Sequence, residues 1–145
     1  MRNLASIAAA ALVALMVAGC ASFHQTQRVK FVDDDGRFAE VLYGYGDKDH
    51  VTTWVSPING KEIELKSKLR VKVALDNGPS FLAYQCMNTL GSGTMYRTDN
   101  ERYMFLANGF TCAIFELEDR TDEYVAVFQG VLCQPPVNEE EEGWR

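Results

Sequence analysis

Histidine and cysteine are scarce in this chain of 145 residues, which has two of the first and four of the second. No two cysteines are spaced Cys-x-x-Cys, and His24 and His50 lie too far apart to share a helix face, so a zinc or iron–sulfur site has no sequence basis. Basic charge is also short, with 14 Lys and Arg against 20 Asp and Glu. A phosphate backbone is bound mainly through Lys and Arg, so nucleic acid is excluded as an expected partner. There is no Gly-x-Ser-x-Gly elbow and no recognisable nucleophile–base pair, and the reading is therefore non-catalytic, without cofactor or metal. An envelope hydrolase would need carboxylates, or a nucleophile and its base, that converge only in the fold. Asp33-Asp34-Asp35-Gly36 lacks the alternating acids and distal Glu of a calcium loop and reads as a turn.

Long apolar runs are limited to one. Leu4 to Ala18 carries no charge and follows Met1-Arg2-Asn3, as the h-region of an export signal follows its n-region. Its fifteen residues fall short of the ~20 needed to cross a bilayer as a helix. The run ends in Val17-Ala18-Gly19-Cys20, which resembles the lipobox of bacterial lipoproteins. That resemblance implies cleavage before Cys20, acylation of its thiol and attachment to a membrane. Ala21, in place of Asp, implies sorting to the outer membrane. Residues 1–19 are thus read as signal peptide, and 20–27 as a short lipid-anchored tether. Removing Arg2 from the 14 basic residues leaves 13 against 20 acidic, a net charge of −7 for the mature chain.

The rest of the chain, 28–133, is read as one all-β domain. Short runs rich in Val, Ile, Phe, Tyr and Leu alternate with turn signals at 8 to 12 residue spacing. Asp35-Gly36, Asn59-Gly60 and Asn77-Gly78 supply the positive φ that tight hairpins need. About eight to nine strands in a small antiparallel barrel or sandwich are expected. Residues 100–108 carry a competing helix pattern, with Asn100 as a possible N-cap and Asn108-Gly109 as a possible stop. The tail, 134–145, joins two prolines to four adjacent glutamates and is expected to be disordered.

With Cys20 acylated, Cys86, Cys112 and Cys133 remain for an oxidising compartment. A β-hairpin centred at Arg120-Thr121 places Cys112 opposite Gln129, roughly 13 Å from Cys133 and beyond bridging range. Cys86 with Cys133 is the preferred disulfide. Finally, Ser92-Gly93-Thr94-Met95-Tyr96, then Tyr103-Met104-Phe105, Asn108-Gly109 and Ala113, resemble membrane-bound inhibitors of C-type lysozyme over about twenty-five residues. The resemblance implies a partner-binding loop opened by Ser92, with Gly93, Tyr96 and Asn108 around it; Asn108 stands where that family has Lys. A protein of the envelope, or a basic secreted protein such as lysozyme, is the expected partner.

Overall fold

The computed structural model describes residues 22–56, 58–89 and 93–133. Among them eight antiparallel strands follow one another around a closed barrel: β1 (His24–Val32), β2 (Phe38–Val55), β3 (Glu62–Leu75), β4 (Ser80–Thr89), β5 (Gly93–Arg97), β6 (Tyr103–Ala107), β7 (Thr111–Glu118) and β8 (Glu123–Leu132). The all-β expectation holds. Residues 100–108 are turn and strand rather than helix. Asn100 caps a turn, its Oδ1 accepting the Arg102 N–H at 3.0 Å, and Tyr103–Ala107 pairs on both sides. The first strand begins at His24, so residues 24–27, assigned to the tether by sequence, are paired with β2. Cys20, Ser92 and the acidic tail lie outside the described residues.

Alternation explains the interior. Val71, Val73 and Leu75 point inward from β3, as do Ala39 and Val41 from β2, and Phe31, Phe105, Ile114 and Phe128 fill the middle with almost no exposed surface. Since each strand pairs with its sequence neighbour, the connections divide between two ends. One end holds the β1–β2, β3–β4, β5–β6 and β7–β8 turns. The other holds the β2–β3, β4–β5 and β6–β7 connections, the start of β1 and the end of β8, and is called the mouth end below.

Closure is uneven. β1 meets β8 only through Phe31↔Leu132 and Val32↔Val131, with the Cys133 N–H donating to the Lys30 carbonyl at 2.9 Å. β2 and β3, by contrast, run past the barrel. β1 follows β2 only to Tyr45, and β4 follows β3 only from Arg70. Between Tyr45↔Leu69 and His50↔Ser67, the residues Gly46 to Asp49 bulge opposite Lys68. Beyond the bulge, residues 50–55 and 62–67 form a two-stranded arm. What reads in sequence as four strands is therefore two long ones.

No disulfide forms. Cys86, Cys112 and Cys133 are all free, which corrects the Cys86–Cys133 assignment. The reason is topological: Cys86 sits on β4, and Cys133 follows β8, in a barrel whose ring order places three strands between them on either side. The hairpin register near Arg120-Thr121 agrees with the sequence reading at Glu118↔Glu123 through Phe115↔Ala126. A bulge at Val127 then shifts it by one, and Cys112 faces Gly130 rather than Gln129. Cys133 is three residues further, still roughly 10 Å away at strand rise.

Candidate functional site at the barrel mouth

The mouth end opens into a cavity of about 340 Å³, lined by interior residues of β1, β2, β5 and β6 and by the β6–β7 turn. Three residues singled out from sequence meet there: Gly93, Tyr96 and Asn108. Gly93 is fixed by sterics. Its φ is +113°, and a Cβ would sit 2.2 Å from the Ala107 carbonyl oxygen, so only glycine lets β5 approach β6 this closely.

Tyr96 is 6% exposed, its ring among those of Tyr43 and Phe105 at centroid separations of 6.4 and 6.0 Å. Burial pushes its phenol up to about 12, and pushes Tyr43 up as well, aided by Tyr96 and Cys112. Both hydroxyls are therefore neutral at physiological pH. Tyr96 belongs to the core and lines the floor of the mouth at once.

Asn108 has a different task from the one its position in the resemblance suggested. Its Oδ1 accepts from the backbone N–H groups of Phe110 and Thr111 and from the Thr111 hydroxyl, at 2.9 to 3.1 Å. The side chain thus builds its own turn. That turn holds Gly109 and the 77% exposed ring of Phe110 at the rim.

Gln27, Thr94 and Asn108 bring neutral polar groups to the lining, Val29, Phe31 and Leu132 bring apolar surface, and no lining residue carries a charge. A concave site that mixes apolar surface with neutral polar groups is suited to binding. A larger cavity, about 420 Å³, lies along the outer β7–β8 wall beside Asp33 and Asp34. Leu106, Ala113, Gln129 and Val131, which line it, alternate with interior residues and face outward, and the buried Cys112 and Gly130 also border it.

Sequence reasoning missed a second assembly, between the arm and the outer face of β4 and β5. Trp54 Nε1 donates to the Cys86 carbonyl at 2.7 Å, and the Arg97 guanidinium lies 4.5 Å over its ring. His50 stacks on Tyr84 at 3.7 Å and places Nε2 2.7 Å from Asp99 Oδ1. These contacts hold His50, which sits beside the polar Asp47-Lys48-Asp49 segment in sequence, against the barrel wall. No local signal could have found them, because the partners lie 34 and 49 residues away. His50 Nδ1 is buried without a hydrogen-bond partner. Under this cover Cys86 is 1% exposed, and burial pushes its thiol up to about 11. Among the described residues no three His, Cys, Asp or Glu side chains gather to hold a metal ion.

The Asp33 carboxylate, in the acidic run, is engaged by its own turn. It accepts from the N–H groups of Asp35 and Arg37 and from Arg37 Nε at 2.8 to 3.0 Å. Desolvation raises its pKa, but these bonds together outweigh that and leave it lowered. No family model, curated protein or solved structure matches the chain.

Proposed function

We propose that the protein is a non-catalytic lipoprotein of the cell envelope, held at the outer membrane through acylated Cys20, whose β-barrel binds a partner at its mouth. The observation that carries this reading is the convergence of Gly93, Tyr96 and the Asn108 turn on one uncharged cavity at the end where the N-terminus emerges. A lipid anchor needs only a short tether to present such an opening close to a membrane. The test is site-specific photo-crosslinking in cells. A photoreactive residue in place of Phe110, at the mouth rim, forms a defined adduct, while one in place of Arg120, at the opposite end, forms none. Adducts at neither position, or only at Arg120, reject the mouth.

A second reading, inhibition of C-type lysozyme through a loop containing Ser92, draws support from the placement of Gly93 beside Tyr96 and Asn108. The acidity of the chain suits a strongly basic enzyme. Near-stoichiometric loss of lysozyme activity on adding the protein is expected under it. Undiminished activity with the folded protein present removes it and leaves the broader reading standing.

A further inference from the structure

The arm ends in an apolar tip that the barrel does not use. Ile58 is 91% exposed, Val55 64% and Ile63 55%. The tip's described residues are held by hydrogen bonds of their own. Ser56 N–H donates to the Lys61 carbonyl at 2.8 Å and Gly60 N–H to the Ser56 carbonyl at 2.9 Å, while Ile58 N–H donates to Ser56 Oγ at 3.2 Å. Gly60 supplies the positive φ, +71°. A built turn that presents an isoleucine to water suits insertion into an apolar phase.

Two observations say which phase. First, the residues that lead into β1 are seated on the base of the arm: Ser22 Oγ accepts the Asp47 N–H at 2.6 Å, and His24 Nε2 lies 2.8 Å from Asp47 Oδ1. Only Ala21 separates Ser22 from Cys20, so chain length alone keeps Cys20 within roughly 7 Å of Ser22. That is about the depth of one headgroup layer. From Tyr84 under His50 to Cys86 under Trp54, the arm tracks β4 toward the mouth end, the end at which β1 begins.

Second, charge is distributed to match. Across residues 46–69 Lys48, Lys61, Lys66 and Lys68 balance Asp47, Asp49, Glu62 and Glu64, so the acidic excess of the chain lies elsewhere. A phosphate-bearing surface repels the rest of the molecule and tolerates the arm.

We propose that the arm tip is a second membrane contact, placing Ile58 and Val55 at the headgroup–acyl boundary of the bilayer that holds Cys20. This rests on the lipid-anchor reading above. Two contacts fix the barrel's tilt where acyl chains alone leave it free to swivel, and hold the mouth in one orientation above the lipid.

The full-length protein, expressed in a bacterial host that processes lipoproteins, is reconstituted in phosphatidylethanolamine/phosphatidylglycerol vesicles with a photoreactive acyl-chain phospholipid. Intact mass then reports acylation of Cys20, and peptide mapping reports the labelled segment. The expected result is an acylated chain labelled within residues 55–63, with labelling reduced about tenfold or more in a Val55→Asp/Ile58→Asp variant of unchanged melting temperature. An acylated protein whose arm takes no label overturns the proposal alone, whether or not a protein partner covers the tip. A chain without acyl mass overturns the anchor reading, and the proposal falls with it.

Discussion

The two ends of the barrel are built to different rules. At the turn end every connection is short and carries hydrogen bonds of its own. Asp33 caps the β1–β2 turn, and the Gly78 N–H donates to the Leu75 carbonyl in the β3–β4 turn. In the β5–β6 turn Thr98 Oγ1 accepts the Tyr103 N–H, and the Asp122 N–H donates to the Glu118 carbonyl in the β7–β8 turn. At the mouth end one connection grows into the arm, β5 opens on a glycine whose Cβ would meet the Ala107 carbonyl, and the cavity opens beside the β6–β7 turn. The difference teaches where a small barrel can vary. Turns that satisfy their own polar groups fix the register, and the opposite end is then available for recognition.

Predictions that break this division come first. Phe105→Ala removes a fully buried ring common to both halves of the barrel and should cost about 3–5 kcal/mol, read as a lowered denaturation midpoint. Both ends should loosen together in hydrogen exchange; loosening at one end alone would show that the barrel is not one cooperative unit.

Gly93→Ala should cost about 1–3 kcal/mol, from its positive φ together with the Ala107 contact, and should abolish mouth crosslinking. Wild-type stability in that variant would mean that β5 and β6 do not approach as described.

Asp33→Asn tests the opposite end. The folded-state pKa of Asp33 is lowered, so its contribution is present above the ordinary carboxylate value and is lost as pH falls through the lower folded value. The variant should melt at a lower temperature near neutral pH, show a smaller acid-induced drop, and crosslink normally at the mouth.

A fourth expectation concerns alkali. Thiols held at about 11 in Cys86 and about 12 in Cys112 are raised by burial, so their stabilising contribution is complete below pH ~8.5 and declines as pH rises through the folded values. Stability should therefore fall above pH ~9, and alkylation in the native state should reach the half-buried Cys133 well before either. The smallest effect is that of Tyr96→Phe, which keeps the ring in the core and removes a hydroxyl from the cavity lining. It should leave stability within about 1 kcal/mol of wild type. Weakened partner binding in the variant would assign that hydroxyl to recognition.

Legibility from sequence follows the same division. The turn end was readable because Asp35-Gly36 and Asn77-Gly78 are local signals whose geometry is set by the residues themselves; Asn77 indeed has a φ of +53°. The arm was not readable. Asp47-Lys48-Asp49 looks like a break between strands, whereas it is a bulge inside one, held by Ser22, His24 and the Arg70 bond to the Lys48 carbonyl. The bulge at Val127, which moved Cys112 opposite Gly130, was hidden for the same reason. It allows Phe128 to turn inward, and that is a packing requirement rather than a pattern. Gly93, Tyr96 and Asn108 were found together in sequence, but their tasks differ: backbone approach, core packing and turn capping.

The central claim is that recognition belongs to the mouth end and architecture to the turn end. Hydroxyl-radical footprinting of the full-length protein in the envelope fraction to which the proposal assigns it, against the same protein purified in detergent, tests it most directly. Protection in the envelope should fall on Phe110, with Asp33–Arg37, Asp76–Pro79 and Asp119–Asp122 equally reactive in both. Protection concentrated on those three turns, with Phe110 unchanged, would contradict the account.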